Sequence, residues 1–335
     1  MKLVITIDTE EDNWLPFSPK VTTENAAEIA RVHDLFLSEQ VLPTYLVTWP
    51  MAHNDTLIRT LADENRAGRC EIGMHCHPWT TPPHEETHRA ENSMLCNLPP
   101  ALAAAKMEAL HALLVERFGT VPRTFRAGRW GYGPQVAEVL LRLGYRVDTS
   151  ITAFTDWSAQ CGPDYSLVGP QPYRFTPPAI YTATPDGPLV ELPATAGFLA
   201  DDYARSARFE RLARRAPLRW FRLLGIFERL SIHNRITLSP ECASAREMQA
   251  LLDAMQALGF GYVNLFFHSP TLVPGLTPYV KTKRDLASFL HSLRSVLRHA
   301  RSHGITPILA RDALATGTAS SVAAPTTARP AAGSG

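Results

Sequence analysis

Short β-branched and apolar runs alternate with longer stretches of helical periodicity along this chain, and no other feature limits its fold as tightly. Strands are predicted at Leu3 to Ile7, Thr44 to Thr48, Cys70 to Gly73, Thr124 to Arg126, Arg146 to Thr149, Leu189 to Leu192, Tyr262 to Phe267 and Thr306 to Leu309. Between them, helical spacing runs over Ala26 to Glu39, Asp55 to Gly68, Pro99 to Phe118, Pro134 to Gly144, Ala204 to Arg229, Ala245 to Leu258 and Lys283 to Ser302. Parallel strands need a long crossover, usually a helix. The alternation therefore predicts an α/β fold of about seven β/α units around a parallel sheet, open or closed into a barrel. Residues 158 to 197, rich in Pro and Gly, predict an irregular excursion. No linker divides the body, so one domain is expected over 1–314, followed by a disordered Ala, Thr, Ser, Pro and Gly tail over 315–335.

The 335 residues are 45% hydrophobic and 19% charged, which suffices for a core of this size and excludes a chain disordered throughout. Lys and Arg number 33 against 32 Asp and Glu, so the net charge is +1 and no global field draws in nucleic acid. The five cysteines are an odd number without a CxxC pair. They indicate neither a disulfide framework nor a cysteine zinc site, and reduced thiols in a cytoplasm are expected. Leu3 to Ile7 is too short for a signal-peptide core, and no segment offers the ~18 consecutive apolar residues of a membrane span, which again predicts a cytoplasmic protein. Residues 203–230 carry eight Arg against Glu210 and Glu228, interleaved with Leu, Trp and Phe. Such a basic amphipathic stretch could touch the inner face of a membrane or a lipid-linked substrate, although Pro217 interrupts it.

Four predicted strands end in clusters of polar residues: Asp8-Thr9-Glu10-Glu11-Asp12, His75-Cys76-His77, Arg126-Ala127-Gly128-Arg129-Trp130-Gly131, and His268. Side chains at the C-terminal ends of parallel strands converge on one face of a barrel. Each cluster alone is ordinary, since acids cap helices and single histidines pack in cores; their joint occurrence points to chemistry. One acid and two imidazoles suit Zn²⁺, Co²⁺ or Ni²⁺, and three protein ligands leave positions open for water and substrate, as hydrolysis requires. A further carboxylate would serve as base and an imidazolium opposite as acid.

In chain order, ITIDTEED, GMHCHPW, FRAGRWG, the region from Gly144 to Trp157 and LFFH resemble the five motifs of the polysaccharide deacetylases of carbohydrate esterase family 4, whose shared unit is the NodB-homology domain. The resemblance spans Asp8 to His268 and implies a distorted (β/α)7 barrel. It also implies a metal-dependent hydrolase removing acetyl groups from an N-acetylated sugar or glycan precursor, with water on the metal as nucleophile. Asp8 is then the base, Arg126 its partner and His268 the acid. The chain departs from the common pattern in that Thr9 separates Asp8 from Glu10 and only Cys76 separates His75 from His77. In an extended strand both spacings keep the pair on one side. Glu10, His75 and His77 are thus the expected metal ligands, with Glu11, His84 and His88 as alternatives. Asp148 is expected to orient and charge His268, with Asp156 of the Asp156-Trp157 dipeptide as its rival. Trp79, Trp130 and Trp157 are candidates for stacking on a sugar ring, with core packing as the other reading. Two further readings stay open: an amidohydrolase of the same superfamily acting on a small non-sugar amide or cyclic imide, and a non-catalytic glycan-binding relative.

Overall fold

The computed structural model describes residues 1–12, 16–18, 20–199, 203, 205, 206 and 235–314. The expected disordered tail and nearly all of the Arg-rich stretch 203–230 lie outside the described residues. The first half alternates as the sequence predicts: β1 (Lys2–Thr9), α1 (Ile29–Ser38), β2 (Thr44–Val47), a short α2 (Trp49–Ala52), α3 (Asp55–Arg66), β3 (Glu71–Cys76), α4 (Pro100–Phe118), β4 (Thr124–Ala127), α5 (Pro134–Arg142) and β5 (Val147–Asp148). Then come β6 (Tyr173–Phe175), β7 (Leu189–Glu191), β8 (Ala196–Phe198), β9 (Arg235–Thr237), α6 (Ala245–Ala257), β10 (Tyr262–His268), α7 (Lys283–Ser302) and β11 (Thr306–Pro307).

All of these strands except β8 and β9 form one curled, mostly parallel sheet in the order β10-β1-β2-β3-β4-β5-β7-β6, with β11 beside the start of β1 and, within it, only β6 antiparallel to its neighbour. The result is a distorted (β/α)7 barrel. Its distortion lies where the Pro- and Gly-rich excursion replaces a regular crossover. Here the antiparallel pair β8–β9 spans the gap: Thr195 N–H donates to the Asn264 carbonyl (3.1 Å), and Phe266 N–H donates to the Leu238 carbonyl (3.2 Å). The sequence hid β6, β8 and β9 because each is three residues long, too short to display a period. Pro307, which has no N–H to give, sits in a two-residue edge strand rather than in the longer one predicted.

Helix boundaries follow local chemistry. Asn54 accepts from the Thr56 and Leu57 N–H groups at the start of α3, and capping boxes, Ser244 with Glu247 and Thr282 with Asp285, open α6 and α7. The helices bury apolar faces such as Leu251, Leu252 and Met255 of α6 and Leu293, Val296 and Leu297 of α7 against the outside of the sheet. No helix among the described residues is long and apolar enough to cross a membrane.

Inside the curl a small apolar cluster of Val4, Val147, Val190 and Leu192 with Ala310 and Ala313 gives way to a polar filling around Arg126. Arg126 is fully buried: Nε donates to the Thr149 carbonyl (2.9 Å), while Nη2 donates to Thr6 Oγ1 (2.7 Å) and Thr149 Oγ1 (3.0 Å). Asn264 accepts from Thr6 Oγ1 (3.0 Å) and donates to Thr149 Oγ1 (2.9 Å). A guanidinium tolerates burial only with such partners, since removing it unpaired from water costs several kcal/mol.

Candidate active site

The register of the sheet sets the site. Asp8 lies directly opposite His268 on the neighbouring strand, and His75 lies opposite Arg126. The remaining Arg126 nitrogen, Nη1, donates to Asp8 Oδ1 at 2.5 Å. Asp8 Oδ2 then stands 3.6 Å from His268 Nε2 and 4.0 Å from His75 Nε2, between the two imidazoles.

Two residues past Asp8, Glu10 is held by its N–H donating to Ser269 Oγ (3.1 Å) and its carbonyl accepting from Asn25 Nδ2 (2.9 Å). Its Oε2 is 3.3 Å from both His75 Nε2 and His77 Nε2, and those two nitrogens are 3.0 Å apart. His75 Nδ1 meets the Arg126 carbonyl at 3.0 Å, and His77 Nδ1 meets Glu11 Oε1 at 2.8 Å. A carbonyl or carboxylate oxygen only accepts, so both Nδ1 atoms carry hydrogen, and each ring turns its Nε2 toward Glu10, as a donor when the ring is charged and as a lone pair once that proton is lost. Without those protons three sets of lone pairs face one point, an arrangement that a metal cation between them relieves. The spacing fits an ion: two donors about 2.1 Å from a common centre and about 100° apart lie about 3.2 Å from one another. Outer partners on both Nδ1 atoms are the usual support of metal-bound histidines. Glu10, His75 and His77 are thus a group able to hold a metal ion.

Charge points the same way, because Asp8, Glu10, Glu11 and Glu241 supply four carboxylates, against which stand the guanidinium of Arg126 and the imidazoles of His77 and His268. Burial works to raise Glu10's pKa, but the charge of His268 and hydrogen bonds from His75 and His77 overcome it and hold the carboxyl below its ordinary range. Burial opposes charging His77, yet Glu11 and Glu10 push it up to about 10. His268 behaves alike, raised to about 10 against its burial by Glu241, Glu10 and Asp8.

Glu241 is the residue that the sequence reading missed. Its Oε2 lies 2.8 Å from His268 Nδ1, and its Oε1 accepts from the His268 N–H (3.0 Å) and from the Thr271 hydroxyl. Asp148 does not orient His268. Its carboxylate accepts from Ser150 Oγ (2.6 Å) and Ser150 N–H (3.2 Å) and pairs with Glu191. Burial raises the pKa of both carboxyls, that of Glu191 further because Asp148 is beside it. The reason is topological: Leu238, just past β9, bonds to β10, so an acid three residues later falls beside His268, whereas β5 is paired with β4 and β7. Asp156 is exposed and accepts from the Ser158 N–H, so it does not join either. His84 and His88 are exposed, the latter stacked on Phe17 (4.8 Å), and Cys76 turns into the apolar core.

The FRAGRWG turn shows why its glycine is needed. A Cβ on Gly128 would lie 2.5 Å from His77 Cδ2 and 2.7 Å from the Cys76 carbonyl oxygen. Arg129 and Trp130 follow in the left-handed region (φ 52° and 61°), a costly conformation for two successive side chains. Trp130 then lies 5.0 Å from the Arg126 guanidinium and is stacked with Trp157, while Trp79 stacks on His77 at 4.2 Å.

No protein-family model matches the sequence, and no curated protein does. Solved structures do match. A GH57-type branching enzyme from the hyperthermophilic archaeon Pyrococcus horikoshii matches with a TM-score of 0.52 and 9% identity over 95% of this chain and 71% of that one. A 4-alpha-glucanotransferase from Thermococcus litoralis gives 0.52 and 11% over 95% and 40%. A family 4 carbohydrate esterase from Streptomyces lividans, in complex with acetate, gives 0.42 and 11% over 91% of each chain. Polysaccharide deacetylases and family 4 carbohydrate esterases are among its structural neighbours. At these identities the likeness is one of fold, and the fold hosts several activities, so the chemistry has to come from the side chains.

Proposed function

We propose that this chain is a metal-dependent hydrolase that removes acetyl groups from an N-acetylated sugar or glycan precursor. The observation that carries this reading is Asp8 standing between His75 of the metal-ligand group and His268 (4.0 and 3.6 Å), which sets a proton acceptor and a proton donor beside one ion site. Glu10, His75 and His77 would hold the ion, Zn²⁺ or alternatively Co²⁺ or Ni²⁺, whose Lewis acidity when bound polarises an acyl oxygen and eases the deprotonation of water. Asp8, held in place by Arg126, takes the proton of the attacking water. His268, charged and oriented by Glu241, gives a proton to the departing amine, the step that an amide needs and an activated ester does not. Free amine and acetate are the products. Trp79, stacked on His77, places an aromatic ring beside the ligands, where a sugar ring could pack against its edge.

The test is acetate release from free, nucleotide-linked and lipid-linked N-acetyl sugars, alongside metal analysis of the same sample. Release that disappears with a chelator and returns with the ion is expected. Metal-loaded protein that frees no acetate from the panel, or that opens a cyclic imide instead, overturns the reading.

A further inference from the structure

A second cluster of metal-ligating side chains lies on the outer wall of the barrel, on α6 and α7. Three polar links join these helices in step: Gln249 Nε2 donates to Ser295 Oγ (2.9 Å), His299 Nε2 meets Asp253 Oδ1 (2.6 Å), and Gln256 Nε2 donates to the His303 carbonyl (3.0 Å). The residue numbers rise together, so both helices point their C-terminal ends the same way, and the last two links fall within about a turn of those ends. Each end carries a partial negative charge that favours a cation. The nearby Arg298 and Arg301 are turned to Glu39 (2.9 and 3.5 Å).

The imidazoles are arranged as donors. His299 and His303 are four residues apart and stack at 4.0 Å with 26° between their planes. His303 Nδ1 lies 2.9 Å from the His299 carbonyl, an acceptor only, so its hydrogen is on Nδ1 and Nε2 keeps its lone pair. Gly304, at φ 69°, turns the chain so that Ile305 N–H closes on the Ala300 carbonyl (2.9 Å), which fixes the backbone that carries His303. One donor atom from each of Asp253, His299 and His303 lies within 4.8 Å of the others. Asp253 and His303 are exposed while His299 is largely buried, so closing the last distance falls to rotamer adjustment of Asp253 and His303.

We propose that Asp253, His299 and His303 form a second transition-metal site, separate from the barrel mouth, that clamps the ends of α6 and α7. Two imidazoles and one carboxylate select Zn²⁺, Ni²⁺ or Cu²⁺; Ca²⁺ and Mg²⁺ demand more oxygen donors. The ion takes the place of the hydrogen between His299 and Asp253, which a shift of that hydrogen to His299 Nδ1 permits. Losing either imidazole then costs at least the roughly 10–100-fold in affinity that follows loss of a mere outer partner.

The experiment is calorimetric titration of untagged, metal-stripped full-length protein with Zn²⁺, and with Cu²⁺ for electron paramagnetic resonance. Two ions per chain are expected in the wild type, and one in His299→Ala/His303→Ala. Circular dichroism checks that this variant keeps its fold, and His303→Ala alone, at an exposed position, should weaken the same ion. Asp253→Asn should weaken the same ion. If the wild type binds a single ion that only His299→Ala/His303→Ala abolishes, this site stands and the barrel-mouth reading fails. The clamp is overturned if that variant binds as many ions as the wild type with equal affinity, or if copper shows no coupling to two imidazole nitrogens that the variant removes.

Discussion

Replacing Glu241 by glutamine takes one charge from beside His268 and almost no volume, so it separates electrostatics from shape. The carboxylate is 2.8 Å from His268 Nδ1. Coulomb's law at an effective dielectric of about 20 gives roughly 6 kcal/mol at that distance, a ceiling that desolvation cuts down. Opposite charges at such range move a pKa by about 1–3 units, or about 1.4–4 kcal/mol. His268, now raised to about 10, should therefore fall to about 7–9 in Glu241→Gln. The sign is fixed by the role: His268 acts while protonated, so rate is lost as pH rises through its pKa, and a lower pKa brings the loss to lower pH. A bound cation depresses both profiles alike, so the difference between them is the quantity to read. The assay is kcat/KM against pH, from about 6 to 11, on an N-acetyl amide. An alkaline limb in Glu241→Gln that coincides with the wild type's would refute the pairing as the source of His268's charge. Asp148→Asn, which removes an acid bonded to Ser150 rather than to His268, should leave the limb where it is.

Asp8→Asn should lower activity by roughly 10²-fold or more while the metal stays bound, whereas Glu10→Gln should empty the site first; metal analysis beside the rates exposes any exchange of these roles. In the metal-free protein His77 is pushed up to about 10, against its burial, by Glu11 and Glu10, so loading the metal at pH 7 should release a proton. Calorimetry in buffers of different ionisation enthalpy reads this, and a buffer-independent heat counts against it. That raised pKa also makes the metal-free fold lose stability as pH climbs from about 6.5 through about 10, the reverse of what a depressed carboxylate does. Lys106→Met should cost about 3–5 kcal/mol in urea unfolding, since the buried ammonium bonds the Pro78, Thr81 and Pro83 carbonyls and pairs with Glu86; a loss under about 1 kcal/mol would show that these groups find other partners.

The parallel half of the fold was legible because strands such as Leu3 to Ile7 and Val263 to Phe267 are buried on both faces and read as apolar runs, each interrupted by one polar residue, Thr6 and Asn264. The polar ends of those same runs gave Asp8, Glu10, His75, His77, Arg126 and His268, all of which the structure brings to one mouth. Glu241 escaped because β9 is three residues long and follows the Arg-rich stretch, whose periodicity dominates that region. A signal did exist: Ile236 and Leu238 alternate with polar neighbours and lead into Ser239 and Glu241. That neither Asp148 nor Asp156 meets His268 could not be read from sequence, because it depends on which strand end faces β10, and pairing across the distorted side of the barrel leaves no local trace.

The polar interior makes this constellation hard to transplant. Arg126 touches Asp8 with one nitrogen while its others hold Thr6 on β1 and Thr149 just past β5, and Asn264 on β10 ties those two threonines together. A designer who grafted only the ligand triad and the two proton carriers onto an apolar barrel would strand a guanidinium among Val and Leu side chains. The smallest portable unit includes at least Thr6, Arg126, Thr149 and Asn264, spread over three strands and the end of a fourth. A host with a different shear would break that unit, so the active side chains and the tilt of the strands must be inherited together.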